Sequence, residues 1–408
     1  MRPTPLLLFV ACCSSIAPVS AHAADPFELK DGDRVVFVGS TLIESEQRYG
    51  YWETMLTSHF PDRNVTFRNL GWSGDTVFGD ARAGFETQAE GYRRLKEHVL
   101  ALKPTVIFIG YGTNESFEGE AGLPRFAEGM NKLLDDLAPT KARIVLLSPL
   151  MQERPRPPLP DPTEHNRDVK RYRDRLHKIA DERKCCFVDF IELLAFSDRE
   201  LPTWLTDDGI HLTAFGYWRA GAALESALGL KATKCFVDLK NDGRTVEVEG
   251  AKVVSDKALS FQVTAARLPA PPPPTERKRT PGGDWGEQAF RLHGVPDGVY
   301  DLAIDGKKAL AATAQAFATR LDMTKGPAYD QVEKLRETII AKNRLYFHRW
   351  RPQNETYLFG FRKAEQGKNA KEIPEFDPLV EKLEAEIAKL RKPVTQTWEL
   401  VRKEEVRK

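Results

Sequence analysis

The stretch that decides the fold is TVIFIGYGTN, residues Thr105 to Asn114. Its first five residues are apolar or β-branched and show no polar alternation. A strand buried on both faces has this composition, because helices cover both sides of a parallel sheet. Gly110 and Gly112 then break the strand and leave Asn114 near its carboxyl end. The stretch therefore predicts a parallel β-strand followed by a loop that carries a hydrogen-bonding side chain.

Runs of the same kind, separated by helical patterns, surround this strand. The predicted strands are Arg34 to Val38, Val65 to Leu70, Thr105 to Ile109, Arg143 to Leu147 and Cys185 to Phe190. The predicted helices are Glu44 to Phe60, Phe85 to Leu102, Pro124 to Leu137, Thr163 to Arg183 and His211 to Leu228. Strands that alternate with helices predict an α/β fold with a five-stranded parallel sheet covered on both faces.

Glycines and hydrogen-bonding residues collect after the first three predicted strands. These loops are Gly39-Ser40-Thr41, Asn69 to Thr76 and Gly110 to Glu115. Ligands of open parallel sheets bind at the carboxyl ends of the strands. There, the amides of Thr41 and Gly74 and the side-chain amide of Asn114 can donate to a tetrahedral oxyanion. Taken singly, each loop can also be a plain strand-to-helix turn.

A short turn further along the chain places a carboxylate three residues before an imidazole. Within Thr206 to Leu212, Asp208 precedes His211, and Gly209 lies between them. If the chain folds back at Gly209, Asp208 can accept a hydrogen bond from one ring nitrogen of His211, and the other nitrogen is free to act as a base. A hydroxyl nucleophile needs such a base, because an unassisted alcohol attacks poorly. The alternative is a helix-capping aspartate followed by a surface histidine.

Taken in order, these blocks resemble the SGNH hydrolases, also called the GDSL esterase and lipase family, over about residues 30 to 230. Gly74, Asn114 and the pair Asp208 and His211 fall in the second, third and last blocks of the family. The resemblance implies a three-layer α/β/α sandwich of flavodoxin-like type with a five-stranded parallel sheet. It also implies hydrolysis of esters of lipids, acylated sugars or other small acyl compounds, without a metal or another cofactor.

The first block departs from the Gly-Asp-Ser pattern of the family. It reads Gly39-Ser40-Thr41, so Thr41 occupies the nucleophile position and Ser40 the aspartate position. Thr41 can serve as the nucleophile, although its methyl group crowds the attack. Ser40 is the alternative nucleophile if the turn shifts. In a third interpretation hydrolysis has been lost, and His211 and Asn114 are kept to bind an acyl or carbohydrate ligand.

Five further residues are candidate substrate contacts. They are Trp72, Tyr111, Arg349, Arg351 and Asn354. The two aromatic residues lie in the loops beside the predicted site and can form a sugar platform or an acyl slot, unless they pack on neighbouring helices. The other three lie in the aromatic segment Tyr346 to Phe361, which either docks as a lid or anchors the tail to the sheet. Glu115 is predicted to cap the helix that follows it.

The chain is predicted to have four parts. They are a signal peptide at 1–23, an SGNH hydrolase-like domain at 24–230, a small antiparallel β domain at 231–311 and a helical C-terminal region at 312–408. The β domain contains a hairpin signal at Asn241-Asp242-Gly243 and a proline-rich loop at Pro269 to Pro281. Amphipathic patterns predict helices at Ala312 to Arg320, Ala328 to Arg344 and Pro378 to Leu390.

The N-terminus has the features of an export signal. Arg2 precedes an apolar run from Leu6 to Cys12, and Ala21-His22-Ala23 is a small-residue cleavage site. We expect a periplasmic or extracellular protein. Lipid anchoring at Cys12 is disfavoured, because Phe9-Val10-Ala11 is a poor approach to a lipidated cysteine. No later run is apolar for long enough to predict a transmembrane helix.

Composition and charge limit the classes of partner that the chain is expected to bind. Lysine and arginine number 60 and aspartate and glutamate 59, which gives a formal charge of +1 and predicts no nucleic-acid partner. The expected substrate is a small-molecule or carbohydrate ester. The sequence thus predicts an exported SGNH-type esterase, which can deacetylate a carbohydrate, with Thr41, His211 and Asp208 as its catalytic residues. The alternative is a catalytically impaired protein of the same fold that binds an acyl or carbohydrate ligand.

Overall fold

The structure is a computed structural model that describes residues 27–154, 157–194, 204–232, 234–257, 259–274 and 287–403. The predicted signal peptide, Cys12 and residues 275–281 of the proline-rich loop lie outside the described residues. Within the described part, none of the helices has the length and apolar character needed to cross a membrane.

The N-terminal half is built on a five-stranded sheet whose strands all run parallel. Its strands are β1 (Arg34–Gly39), β2 (Thr66–Asn69), β3 (Val106–Gly110), β4 (Arg143–Leu147) and β5 (Cys186–Val188), in the order β2-β1-β3-β4-β5. Alternate residues serve different cores: Val35 and Phe37 belong to one apolar cluster, and Val36 and Val38 belong to another. Both faces are therefore buried, which confirms the predicted α/β fold.

Helices cover this sheet close to the predicted positions. They are α1 (Thr41–Tyr49), α2 (Tyr51–His59), α3 (Gln88–Ala101), α4 (Leu123–Leu137), α5 (Thr163–Arg183), α6 (Phe190–Leu193) and α7 (Ala214–Ala227). The single helix predicted from Glu44 to Phe60 is wrong, because Gly50 adopts a left-handed conformation with φ 65° and separates α1 from α2. The helix predicted to begin at His211 begins at Ala214, where the Thr213 hydroxyl caps it by accepting the Gly216 N–H.

Two smaller sheets follow and share one apolar core. Their strands are β6 (Lys234–Lys240), β7 (Thr245–Glu249), β8 (Ala251–Lys257), β9 (Ser260–Ala265), β10 (Glu287–His293), β11 (Val299–Ile304), β12 (Lys307–Thr313), β13 (Leu321–Met323) and β14 (Gln396–Arg402). The sheet orders are β13-β10-β6-β7 and β12-β11-β14-β9-β8. All pairs are antiparallel except β6 with β10, which runs parallel and departs from a purely antiparallel domain. Phe290 and Trp398 meet between the sheets, with ring centroids 5.5 Å apart.

The predicted helical C-terminal region is present. Its helices are α8 (Ala314–Phe317), α9 (Pro327–Trp350), α10 (Glu355–Leu358), α11 (Lys363–Gln366) and α12 (Phe376–Leu390). The helix predicted from Ala312 to Arg320 is correct only for the single turn of α8. The long helix α9 packs on α1 and α2, where the Lys342 ammonium lies 2.6 Å from a carboxylate oxygen of Glu53 in a buried ion pair.

Candidate active site

The turn from Thr206 to Leu212 brings the predicted acid and imidazole into contact. Thr206 and Leu212 form an isolated antiparallel bridge, and Gly209 takes a left-handed conformation with φ 92° between them. One oxygen of Asp208 accepts the Ile210 and His211 backbone N–H groups at 3.0 and 2.9 Å, and the other lies 2.6 Å from Nδ1 of His211. The imidazole is thus oriented through Nδ1, which leaves Nε2 free to exchange a proton.

The charge state of Asp208 suits this orienting contact. Burial raises the pKa of the carboxyl, but hydrogen bonds from the backbone and ring of His211 and from the Ile210 N–H outweigh it and lower the pKa to about 2. The carboxylate therefore stays ionised at any ordinary pH. It can stabilise a positive charge that develops on the imidazole.

A narrow cleft beside His211 is lined by residues from each of the predicted loops except the second. It encloses about 60 Å³. Its lining residues are Ser40, Thr41, Leu42, Ser45, Thr113, Asn114, Leu150, Met151, Gln152, Ile210, His211, Leu212 and Tyr217. The candidate nucleophiles, the imidazole and the asparagine therefore meet in one place, as the positions of their loops at the sheet edge predict.

Thr41 and Ser40 differ in accessibility. Ser40 is the N-cap residue of α1 and is buried, with 4% of its surface exposed. Its carbonyl accepts the N–H groups of Ile43 and Glu44, which fixes its place at the helix end. Thr41 is the first helical residue and is half-buried on the cleft wall. Both residues line the cleft, and Thr41 is the more exposed of the two.

Amide donors lie at the same edge of the sheet. Gly74 is exposed, has φ 78°, and its N–H makes no hydrogen bond within the described chain. Asn114 gives one side-chain N–H to the Asp75 carbonyl at 2.7 Å, which leaves its second N–H for another acceptor. The Thr41 N–H is in the first turn of α1, where backbone donors have no partner inside the helix. Gly74 does not line the narrow cleft itself.

Comparison with known proteins agrees with this geometry. Residues 32–219 match the model of the GDSL-like Lipase/Acylhydrolase family. These residues form a GDSL-like lipase/acylhydrolase domain. The match confirms the resemblance read from the sequence and supports a hydrolase of carboxylic esters. No curated protein matches the chain by sequence.

Three solved structures are similar to all or part of the chain. A gut microbial diltiazem-metabolizing enzyme is 18% identical with a TM-score of 0.74, and the match covers 92% of this chain and 99% of that one. An acetylxylan esterase from Geobacillus stearothermophilus is 20% identical with a TM-score of 0.40, covering 50% of this chain and 98% of the esterase. An α/β hydrolase from the metagenome of Lake Arreo, Spain, is 21% identical with a TM-score of 0.39, covering 49% and 97%. The first match shows that the added β and helical parts recur with this fold.

Glu115 ties together the two loops of the GDSL-like domain that carry Gly74 and Asn114. Its carboxylate accepts the Val77 N–H at 2.7 Å and the Gly112 N–H at 2.8 Å. Burial raises its pKa to about 7, although these N–H groups oppose the shift. The side chain therefore bridges two loops in addition to standing at the start of a short helical turn, and the predicted capping hydrogen bond is not found within the described chain.

Glu153 holds the turn of Asp208 and His211, and sequence reasoning missed it. Its buried carboxylate accepts the Leu205 N–H at 3.0 Å and the Thr206 N–H at 2.7 Å. Its own N–H donates to the Gly209 carbonyl at 2.9 Å. Because Glu153 lies in a proline-rich loop 52 residues before Leu205, no local pattern relates the two segments.

Tyr111, a candidate substrate contact, is buried beneath the second loop and does not line the narrow cleft. It is 1% exposed, and its hydroxyl donates to Asp75 at 2.9 Å. Asp75 also pairs with Arg82 at 2.7 Å, and both charged side chains are fully buried. Burial raises the pKa of Asp75, and the Arg82 guanidinium opposes that shift. Tyr111 therefore belongs to a buried network beneath the second loop, because its side chain points into the core.

The other four candidate contacts lie outside the narrow cleft. Arg349 pairs with Asp377 at 2.8 Å, and Asn354 donates to Gln366 at 2.9 Å, so both are held within the C-terminal region. Arg351 instead reaches the GDSL-like domain: it stacks over the Trp72 ring, 3.6 Å from the centroid, and lies 2.9 Å from Glu44. The segment from Tyr346 to Phe361 thus packs on the GDSL-like domain through Arg351, which suits the anchoring interpretation, and its action as a lid stays a prediction.

Proposed function

We propose that the GDSL-like domain hydrolyses esters of short acyl groups by acyl transfer to Thr41. The observation that carries this proposal is the 2.6 Å contact between Asp208 and Nδ1 of His211, on a cleft that Thr41 also lines. A hydroxyl, an oriented base and amide donors are the parts that acyl transfer requires.

The reaction follows from the roles of these groups. His211 Nε2 takes the proton of the Thr41 hydroxyl as its oxygen attacks the ester carbonyl. The N–H groups of Thr41, Gly74 and Asn114 stabilise the oxyanion, and Asp208 stabilises the imidazolium. His211 then protonates the departing alcohol, which leaves an acyl ester on Thr41. Water, deprotonated by His211, attacks this ester. As the bond to Thr41 breaks, His211 returns the proton to the Thr41 oxygen, and the acid is released.

The size of the cleft supports a short acyl group. A water molecule needs roughly 10–15 Å³ of such space, and the cleft encloses about 60 Å³. It therefore has room for a few non-hydrogen atoms, which fits an acetyl group better than a fatty acyl chain. An acetyl ester of a carbohydrate is the substrate class that we favour.

Release of p-nitrophenol from p-nitrophenyl acetate tests the proposal. We expect Thr41→Ala and His211→Ala to lower kcat by about a thousandfold or more, and Thr41→Ser and Ser40→Ala to retain turnover. Loss of turnover in Ser40→Ala with retention in Thr41→Ala would instead identify Ser40 as the nucleophile. If the folded wild type turns over neither this ester nor acetylated sugars, the chain is a ligand-binding protein of the same fold.

We also propose that the chain is exported. The support is the charged, apolar and small-residue pattern of residues 1–23. Expression with the full N-terminus, followed by mass spectrometry of the protein from the periplasm and medium, should yield a chain that begins at Ala24. Recovery only from the cytoplasm with residues 1–23 intact contradicts export.

A further inference from the structure

A second, larger cavity lies beside the candidate active site, between the second loop and the segment that follows α9. It is open to solvent and has a volume of about 400 Å³. Its lining residues are Trp72, Phe347, Arg351, Pro352, Gln353, Glu355 and Thr356. Six of these seven residues come from the C-terminal region, which the acyl-transfer steps do not use.

This cavity is connected to the candidate active site through helix α1 and the second loop, and none of the residues that the structure describes lines both it and the narrow cleft. Glu44 accepts a hydrogen bond from Arg351 at 2.9 Å and from the Ser73 N–H at 2.6 Å, so one carboxylate oxygen contacts both the cavity wall and the second loop. Glu44 follows Thr41 by three residues in α1, which is a separation of about 5 Å along the helix axis. Trp72 precedes Gly74 by two residues in the loop. Helix α1 and the second loop therefore carry both candidate catalytic groups and residues that contact the cavity wall.

The walls combine aromatic surface with unused hydrogen-bonding groups. Trp72 and Phe347 provide the rings. The Arg351 guanidinium stacks over Trp72, 3.6 Å from its centroid, and lies 5.5 Å from the Phe347 centroid. Because Arg82 also lies over Trp72, at 5.4 Å, a ligand would meet the Phe347 ring and the planar guanidinium. Within the described chain, the guanidinium makes its hydrogen bond to Glu44 alone, and the side chains of Gln353 and Thr356 make none. Sugars present apolar C–H faces that pack on aromatic rings and hydroxyls that pair with amides, hydroxyls and guanidinium groups.

Charge disfavours an anion in this cavity. Glu44 already neutralises Arg351, and Glu355 adds a carboxylate that makes no ion pair within the described residues. A phosphate or carboxylate would therefore meet net negative charge at close range. A neutral polyhydroxylated group meets no such cost, and an ammonium group is the competing ligand that Glu355 could attract.

We propose that this second cavity binds the saccharide part of an acetylated sugar while its acetyl ester lies at Thr41. The inference rests on the proposed function, and it assigns the C-terminal region the task of recognising the alcohol side of the substrate. Because the narrow cleft is small, the larger part of a substrate must lie outside it. The second cavity is where aromatic and neutral polar groups are present together to receive it.

The kinetic test compares acetylated xylobiose with ethyl acetate, whose alcohol has no hydroxyl or ring left to bind. The double variant Gln353→Ala with Thr356→Val removes two hydrogen-bonding groups and keeps the volume of Thr356. We expect the ratio of kcat/KM for acetylated xylobiose to that for ethyl acetate to fall about tenfold. The control Asn354→Ala changes a neighbouring polar residue whose side chain bonds Gln366 instead, and it should keep the wild-type ratio.

Three other outcomes would overturn the proposal or separate it from the proposed function. An unchanged ratio in the double variant overturns the proposal. A wild-type preference for acetylcholine over acetylated xylobiose, lost in Glu355→Gln, overturns it in favour of a cationic alcohol. If the wild type turns over no ester at all, the proposed function fails. Calorimetric titration with xylobiose then tests saccharide binding in the cavity separately. Binding that the double variant loses supports the saccharide site, and absence of binding by the wild type overturns it.

Discussion

At the scale of single residues, buried carboxylates do more than the candidate catalytic groups to shape the site. Glu115 spans the second and third loops, Glu153 holds the turn of Asp208 and His211, and Glu44 links the second loop to Arg351. Each accepts N–H groups from segments that are distant in the sequence. An ionised carboxylate can accept several hydrogen bonds at once, which makes it suited to joining loops.

Glu115→Gln should lower activity. Glutamine has a single side-chain oxygen, so it cannot accept both the Val77 and Gly112 N–H groups, and its own N–H groups would face one of them. We expect the loops that carry Gly74 and Asn114 to shift and kcat for p-nitrophenyl acetate to fall by about tenfold or more. The control Glu118→Gln alters a surface carboxylate that pairs with Arg125. Equal activity in the two variants contradicts a positioning role for Glu115.

The same variant should change the pH dependence of stability. The pKa of Glu115 is about 7 in the folded protein, against an ordinary value of 4.5. Between these values the folded protein keeps a proton that the unfolded chain has lost, so the free energy of unfolding falls as pH rises through this window. Glu115→Gln lacks this contribution. Its free energy of unfolding, relative to that of the wild type, should therefore rise by up to about 3 kcal/mol between pH 4.5 and pH 8. Urea unfolding at the two pH values measures the difference, and parallel pH profiles would refute it.

At the scale of elements, the second loop packs directly against the backbone of α1. A side chain at Gly71 would place its Cβ 2.2 Å from the Glu44 nitrogen and 2.6 Å from the Glu44 Cα, closer than real contacts allow. Glycine is required there because helix and loop touch through their main chains. This backbone contact fixes the distance between α1 and the second loop, which carries Gly74.

Gly71→Ala should therefore be destabilising and damaging to activity. The contact is with backbone, which cannot rotate away, so the loop must lift from α1. We expect a loss of about 1–3 kcal/mol in the free energy of unfolding and a fall in kcat for p-nitrophenyl acetate. Ser73→Ala, in the same loop but at an exposed position, is the control. A variant as stable and active as the control would show that the loop adapts without cost.

At the scale of the whole molecule, strand β14 near the end of the chain pairs with strands from much earlier in the sequence. β14 lies between β11 and β9 in the five-stranded sheet of the β domain, and Trp398 in that strand is fully buried. Arg267, just after β9, donates to the His59 ring at 2.9 Å, and His59 contacts Glu225 in turn. The β domain, the C-terminal helices and the GDSL-like domain are therefore interlocked.

A chain that ends at Pro393 should fail to complete the β domain. It leaves β9 and β11 unpaired on facing edges and removes Trp398 from the core. We expect loss of the cooperative thermal transition and rapid cleavage within residues 234–313 by a protease. The control, a chain that ends at Lys403, keeps all of β14. Two truncated chains with the same transition temperature would show that β14 is dispensable.

Much of the GDSL-like domain could be predicted from the sequence because its signals are local. An apolar run without alternation marks a strand buried on both faces, and the loops after such strands meet at one edge. The contact between Asp208 and His211 depends on residues three apart, so the turn at Gly209 is enough to form it. Their catalytic role and that of Thr41 stay predictions that kinetics must decide.

The errors have equally physical causes. A break at Gly50 was missed, because glycine inside an apolar pattern can remain helical, and the left-handed turn depends on how α1 and α2 pack. The last strand was missed because β14 follows a run of helices and pairs with strands far earlier in the chain. Tyr111 was assigned to the site because a loop residue beside a strand end can point either way.

The sequence by itself determined the parallel sheet, the loops at its edge and the acid-imidazole turn, since each depends on neighbours within a few residues. Only the tertiary structure decided which distant groups reach that edge. Glu153 meets Thr206 from 53 residues away, and Arg351 meets Glu44 from 307 residues away. Such contacts depend on how the folded elements pack, and side-chain chemistry selects them only after packing has brought the segments together.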